Sequence, residues 1–157
     1  VDRFMLKVIL EYPSIEEERR IIRSIVNIEG QPKANKVISQ DDIMRARDLV
    51  KQIYMDEKIE KYIVDLVFAT RFPHHYGLEY LQPMITCGCS PRASINLAIA
   101  SKAFAFLQGR AFVIPEDVRA IALDVMRHRI GLSYEAEAEN LKTSDIILKI
   151  INKVEVP

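Results

Sequence analysis

The chain has 157 residues, and its 22 Lys and Arg residues balance 22 Asp and Glu residues, so the formal net charge is zero. A neutral chain is not typical of proteins that bind nucleic acid or polyphosphates through bulk electrostatics, so any anion site must be a local arrangement of a few residues. Hydrophobic residues make up 49% and charged residues 28%, which excludes disorder and suffices for one ordinary domain or two small ones.

Several motif classes are missing from the chain. No apolar run approaches the roughly 18 residues of a membrane span, and no signal-peptide pattern opens the sequence. The glycines are not spaced for a P-loop, a dinucleotide-binding fingerprint or a nucleophile elbow. Cys87 and Cys89 are too close for a typical disulfide and, like the adjacent His74 and His75, lack further metal ligands. We therefore predict a cytoplasmic chain with no metal site and no self-contained catalytic motif.

The first apolar segment is typical of a β-strand. From Phe4 to Leu10 the apolar residues alternate in the way that a strand requires. Almost no partner strand is predicted in the remaining sequence, and a lone strand is unstable because both of its edges are unpaired. We therefore expect this strand to belong to a sheet that lies upstream, with Val1 close to a cut.

From residue 14 onwards the pattern is helical. Ser14 followed by Glu17 is a capping box that predicts a helix through about Val26, and Ser39 caps the next helix. Between them a polar loop is predicted at residues 27–36. Apolar residues at helical spacing predict four more helices: one through Ile59, Tyr62, Ile63, Leu66 and Val67, one from Ser90 to about Gln108, one opened by Pro115, and one capped by Thr143.

The helix after Ser90 is apolar on all sides. Ile95, Ala98 and Ile99 share one face, and Leu97 and Phe104 add apolar surface elsewhere, so we expect this helix to be central and buried. Residues 71–89, which precede it, are predicted to be a loop with a short helical turn near Tyr80.

A cation stands at the start of that helix. Ser90 is a typical N-cap and Pro91 a typical first helical residue, so Arg92 lies in the first turn, where the helix dipole disfavours positive charge. An anion bound by Arg92 and the free backbone amides would explain the arrangement, and Gly88 would let the backbone approach it. Taken alone, a solvated arginine is the preferred interpretation.

Five short segments occur in order along the chain. They are Asp2-Arg3-Phe4 with Tyr12-Pro13-Ser14, Gly88–Ser94 (GCSPRAS), Phe106–Arg110 (FLQGR), Pro115–Val118 (PEDV) and Arg127–Ile130 (RHRI). Together they resemble the C-terminal lid of MoxR-family AAA+ ATPases, over nearly the whole chain. The resemblance implies a mostly all-α fold: a helical-bundle AAA+ lid at residues 14–157, preceded at residues 1–13 by the last strand and junction of an α/β ATPase core.

The resemblance also assigns roles to particular residues. Arg92, with Ser90 and Pro91 beside it, matches the sensor-2 arginine that reaches the γ-phosphate of ATP from the lid. Arg3 matches an arginine finger that acts in trans on a neighbouring subunit's ATP, the alternative being a surface arginine paired with Asp2. Arg71 matches a family position without a defined role.

Three departures from the family pattern are visible. Cys89 stands where alanine is common, and Ile114 replaces a threonine N-cap, which removes a cap worth about 1 kcal/mol. The segment at residues 72–87 is longer than in many relatives.

For the intact parent, the resemblance implies an ATP hydrolase that forms a hexameric ring and remodels or matures protein complexes, as in methanol dehydrogenase regulation. The implied partners are its own core, neighbouring subunits and proteins with von Willebrand factor A domains, with no membrane or nucleic acid. ATP and Mg²⁺ would be bound mainly by the core, so this chain alone is expected to be inactive. The alternative is a non-catalytic helical protein-interaction module.

Overall fold

The computed structural model describes residues 2–26 and 34–157, and helices dominate them, as predicted. The predicted loop at residues 27–36 therefore lies mostly outside the described residues. In chain order the elements are α1 (Ile15–Val26), α2 (Gln40–Gln52), α3 (Glu57–Arg71), two 3₁₀ helices (Pro73–Tyr76 and Glu79–Met84), β1 (Ile85–Cys87), α4 (Pro91–Leu107), α5 (Pro115–Met126), β2 (Gly131–Leu132), α6 (Tyr134–Ala138) and α7 (Thr143–Lys153).

The chain divides into two compact units. One comprises Val1–Lys7 together with Arg47–Pro157, and the other comprises Val8–Ala46. No helix among the described residues is both long and apolar enough to cross a bilayer.

Both helices that begin in the smaller unit start with the predicted caps. At α1 the Glu17 carboxylate accepts the Ser14 backbone N–H at 2.8 Å. At α2 the Asp42 carboxylate accepts the Ser39 backbone N–H at 3.0 Å, and the Ser39 hydroxyl accepts the Asp42 N–H at 3.1 Å. These reciprocal bonds satisfy amides that have no partner within the helix, so a four-residue pattern is enough to place a helix start.

The predicted strand over residues 4–10 is not formed. Among the described residues, no strand or bridge pairs with this segment. A backbone-to-backbone hydrogen bond ties this segment to α5, from the Lys7 N–H to the Asp124 carbonyl at 2.8 Å. Alternating apolar residues produce a strand only where a neighbouring strand supplies hydrogen-bond partners, and the described residues supply none.

The core of the larger unit lies between α3, α4, α5 and α7, each of which contacts two or more of the others. The apolar stripe predicted for α3 is buried as expected, and so is the stripe of α7. The start of α7 differs slightly from prediction, because Lys142 rather than Thr143 occupies the N-cap and its N–H donates to Asp145 at 2.8 Å. The fully buried large side chains of these helices are Tyr62, Leu66, Val67, Leu97, Val118, Val125, Met126, Ile146, Ile147 and Ile150.

The segment predicted as a loop at residues 71–89 contains a strand that sequence reasoning missed. Strand β1 pairs antiparallel with β2, with Ile85 opposite Leu132 and Cys87 opposite Gly131. Strands of three and two residues are too short to show a period of two, and their partners are far apart in sequence. The predicted turn near Tyr80 is present as the second 3₁₀ helix.

Helix α4 packs against α3 and α5 but is buried on one face only, so the prediction of a central, buried helix is wrong for its other face. Its buried face holds Leu97 and small residues, whereas Ile95 is 57% and Ile99 is 46% exposed. These two side chains line an apolar groove of about 580 Å³ between α3 and α4, together with Val64 and Met55. A helix that is apolar on every side gives no sequence signal for which face packs inward.

Candidate functional site

The predicted site residues meet at the N-terminal end of α4. Ser90 has the extended backbone of an N-cap, with φ −76° and ψ 169°, and Pro91 is the first helical residue, as predicted. The Ser90 hydroxyl does not cap the helix, however. It donates a shared hydrogen bond to the two carboxylate oxygens of Asp2, each 3.1 Å away.

Arg92 contacts the same carboxylate. Its Nη1 donates to Oδ2 of Asp2 at 2.9 Å, while 65% of the Arg92 side chain stays exposed. The hydrogen bond from Arg92 and then that from Ser90 lower the pKa of Asp2, against the opposing effect of burial. The sequence suggested either a bound anion or a solvated arginine at this helix start. The structure shows neither, because the anion that Arg92 contacts is the carboxylate of Asp2 in the same chain.

Arg129 is a third donor to Asp2, and sequence reasoning gave it no role. Its side chain has 0% exposure, and its Nε donates to Oδ1 of Asp2 at 3.2 Å. Its Nη2 donates to the backbone carbonyls of Asp2, at 2.8 Å, and Phe4, while Nη1 donates to the carbonyl of Val125. Burial lowers the pKa of Arg129 and the charge of Asp2 opposes this. The available signal was its place in the RHRI segment.

Arg3 lies in the chain between Asp2 and Phe4, the two residues whose backbone carbonyls accept hydrogen bonds from Arg129. His128 adds a further contact, with its Nε2 2.9 Å from the Phe4 carbonyl oxygen. The Arg3 side chain itself is exposed and makes no ion pair with another described residue. The surface pair between Arg3 and Asp2, which was the alternative to the arginine finger, is not formed because Asp2 is held by Arg92 and Arg129.

Gly88 has a different task from the predicted one. A Cβ at this position would lie 2.6 Å from the Thr70 carbonyl oxygen and 2.7 Å from Cγ of Arg71. The glycine therefore lets the chain cross the end of α3 rather than approach an anion. The next residue, Cys89, donates its N–H to the Thr70 hydroxyl at 2.9 Å. Its thiol is buried, and burial raises the pKa of that thiol to about 11.

We expect Gly88→Ala to destabilise the fold by about 1–3 kcal/mol, because the added methyl meets backbone atoms that cannot move aside. Urea unfolding of the variant beside wild type measures the loss. Cys87→Ala, at an exposed position one residue earlier, is the control and should change stability little. An unchanged unfolding midpoint for Gly88→Ala would mean that the crossing is not tight.

Arg71 has a structural contact but no defined role. It is the last residue of α3, and its guanidinium lies 4.5 Å from the centre of the Phe68 ring. Its Nε is buried without a hydrogen-bond partner among the described residues. His74 and His75 are exposed, and no group of three or more His, Cys, Asp or Glu that could hold a metal ion occurs in the described parts of the chain.

The FLQGR and PEDV segments are joined by an ion pair. Arg110 donates from both terminal nitrogens to Asp117, with one contact of 2.7 Å, and Asp117 is 1% exposed. The same carboxylate accepts the Ile114 backbone N–H at 2.9 Å, so α5 keeps a cap although Ile114 has no hydroxyl. The hydrogen bond to Asp117 raises the pKa of Arg110. These two segments therefore stabilise the fold and lie outside the cluster that Ser90, Arg92 and Arg129 form around Asp2.

Comparison with known proteins gives consistent matches. Residues 79–150 match the family model described as the AAA lid domain. The chain is 35% identical over 156 residues to Chaperone MoxR1 of Mycobacterium tuberculosis, covering 99% of this chain and 41% of that protein. It is 30% identical over 152 residues to Protein MoxR of Paracoccus denitrificans, covering 89% of this chain and 45% of that protein.

A solved structure is also similar. The crystal structure of a candidate ATPase from Cytophaga hutchinsonii has a TM-score of 0.94 and 43% identity, over 99% of this chain and 47% of that one. The chain thus spans less than half the length of each of these relatives.

Proposed function

Because the chain belongs to the MoxR family of AAA+ proteins and contains their lid domain, we propose that it closes over ATP bound by an ATPase core outside these residues. In this proposal Arg92 is the sensor-2 arginine that contacts the γ-phosphate, with Ser90 and Pro91 shaping the helix start beside it. Arg3 is the arginine finger that acts on the ATP of a neighbouring subunit.

One observation carries the proposal: the end of α4 holds an anion. Ser90 and Arg92 both donate to the Asp2 carboxylate at the N-terminal end of α4, where the helix dipole favours negative charge. A carboxylate and a phosphate present similar oxygens, so donors that hold one suit the other. Because Arg92 stays largely exposed, it is able to leave Asp2 for a phosphate.

The chemistry follows from these positions. An arginine at the γ-phosphate stabilises the charge that develops as the phosphoryl group is transferred. It also links closure of the lid to the presence of that phosphate, because the attraction exists only while the phosphate is there. Mg²⁺ accompanies ATP in such reactions, and we place its ligands in the core.

For the intact parent we propose an ATP hydrolase in the cytoplasm that assembles as a hexameric ring and remodels or matures other protein complexes. Its partners would be its own core, neighbouring subunits and proteins with von Willebrand factor A domains. Methanol dehydrogenase regulation is one such task. Residues 1–13 would be the junction to the core, and this chain alone would not hydrolyse ATP.

A non-catalytic interaction module is the second candidate. The apolar groove between α3 and α4 favours it, because exposed Ile95 and Ile99 would suit a helical partner. It gives Arg92 no role beyond the ion pair with Asp2.

Subunit mixing tests the proposal. Arg92→Ala removes the arginine that acts within a subunit, and Arg3→Ala removes the one that acts on the neighbour. Each variant of the intact protein is expected to lose most of its ATP turnover. When the two variants are mixed 1:1 and assemble at random into closed rings, a site is complete where an Arg3→Ala subunit supplies Arg92 and its neighbour, an Arg92→Ala subunit, supplies Arg3. About one quarter of the sites meet this condition and should regain activity.

Failure of the mixture to recover would contradict action in trans. Full turnover by either variant alone would show that the replaced arginine does not act on the nucleotide. Native-state size measurements on each variant provide the control that rings still form, and recovery of the untagged variant with an affinity-tagged one shows that subunits exchange.

A further inference from the structure

Asp2 lies between the two arginines to which the proposed function gives roles. It precedes Arg3 directly in the chain, and its carboxylate is hydrogen-bonded to Arg92, 90 residues further on. Asp2 therefore connects Arg3, the proposed arginine finger, to Arg92, the proposed sensor-2 arginine of the same subunit.

The two sides of this connection differ in strength. Arg129 is fully buried and holds Asp2 through both its carboxylate and its backbone carbonyl, as well as the carbonyl of Phe4. Such charge-assisted bonds in a buried setting are hard to break without unfolding. The bond from Arg92 is single and exposed, and exposed ion pairs of this kind contribute little stability. A competing anion would therefore release Arg92 and leave Arg129 in place.

We propose that Asp2 is a positioning residue. It binds Arg92 when no phosphate is present, and its release from Arg92 when phosphate binds changes the contacts beside Arg3. This inference rests on the proposed function, since it takes Arg92 to contact ATP. The γ-phosphate and the Asp2 carboxylate compete for the same guanidinium. When phosphate takes Arg92, Asp2 loses one of its partners next to Arg3, so the state of a subunit's own ATP is transmitted to the finger that serves its neighbour.

The competition has a consequence that a purely structural role for Asp2 would not have. Removing the carboxylate frees Arg92, so ATP should bind more tightly, even though one stabilising contact is lost. Without the carboxylate, the segment that carries Arg3 is no longer connected to Arg92, so the binding of phosphate is not transmitted to Arg3 and turnover should fall. Tighter binding together with slower turnover separates a positioning role from simple loss of stability.

The test uses the intact parent protein with Asp2→Asn and Asp2→Ala, a fluorescent ATP analogue for binding, and steady-state ATP turnover. We expect the analogue to bind about 2- to 5-fold more tightly and turnover to fall about 10-fold. The tightening should vanish in the Asp2→Asn, Arg92→Ala double variant, because it requires Arg92.

Asp124→Asn is the matched control. The Asp124 carboxylate is 37% exposed, like that of Asp2, and pairs with Arg127 at 2.8 Å, but it touches neither Arg92 nor Arg3. This variant should bind the analogue and turn over ATP as wild type does. Thermal unfolding of each variant shows how much stability it loses.

The outcomes are distinguishable. Normal binding and turnover in the Asp2 variants, with turnover lost in Arg92→Ala, would overturn the positioning role and leave the proposed function intact. Binding that weakens in step with thermal stability would also overturn it, since Asp2 would then only hold the fold. Unchanged binding and turnover in Arg92→Ala would overturn the proposed function and this inference with it.

Discussion

Replacing Arg92 by alanine in the intact parent is expected to slow ATP turnover by roughly 10²–10³-fold, the usual effect of removing one preorganised donor to developing charge. The fold should survive the change. Arg92 is 65% exposed, and its described ion pair, with Asp2, is of the exposed kind that contributes little stability. A large loss of rate without a loss of structure is therefore the result that a role at the phosphate predicts.

The control for this prediction is Arg19→Ala. Arg19 is 62% exposed and pairs with Glu16 at 2.9 Å on α1, so the change removes a similarly exposed arginine and a similar ion pair. Turnover by this variant should match wild type. Arg92→Lys should recover part of the rate, because lysine keeps the charge but not the planar pair of donors. If Arg92→Ala turned over ATP normally, Arg92 would be a surface residue and the interaction module would become the better proposal.

Asp117→Ala is expected to lower the free energy of unfolding by about 3 kcal/mol, the largest stability effect that we anticipate. The carboxylate is 1% exposed, joins Arg110 to α5, and accepts the Ile114 amide at the helix start. Its removal leaves the guanidinium without its counter-ion and the amide without an acceptor. The loop between α4 and α5 should loosen as a result.

Urea unfolding followed by circular dichroism measures this loss. Asp48→Ala removes an exposed carboxylate paired with Lys51 at 2.8 Å and should leave the unfolding midpoint nearly unchanged. An Asp117→Ala midpoint equal to that of Asp48→Ala would show that the pair with Arg110 adds nothing to stability. ATP binding by the intact protein should persist under conditions where the variant is folded, because Asp117 lies outside the cluster around Asp2.

Local patterns predicted most of the helices. The capping box of Ser14 with Glu17 and the N-cap at Ser39 predicted two helix starts, because a cap is made by residues within one turn. The apolar stripe of α3 gave its buried face correctly, because it is polar on the other side. For α4 the same reasoning failed, since apolar residues on every side leave the packing face to be decided by neighbouring helices.

The sequence by itself determined the helical class of the chain and its family resemblance, and it indicated Arg92 as a candidate site residue. Only the tertiary structure decided what surrounds Arg92. Asp2 meets it across 90 residues and meets Arg129 across 127 residues, and sequence spacing carries no signal for such contacts. Capping and helical periodicity follow from bonds within a few residues, whereas a buried arginine that clamps a distant segment exists only once the helices have packed.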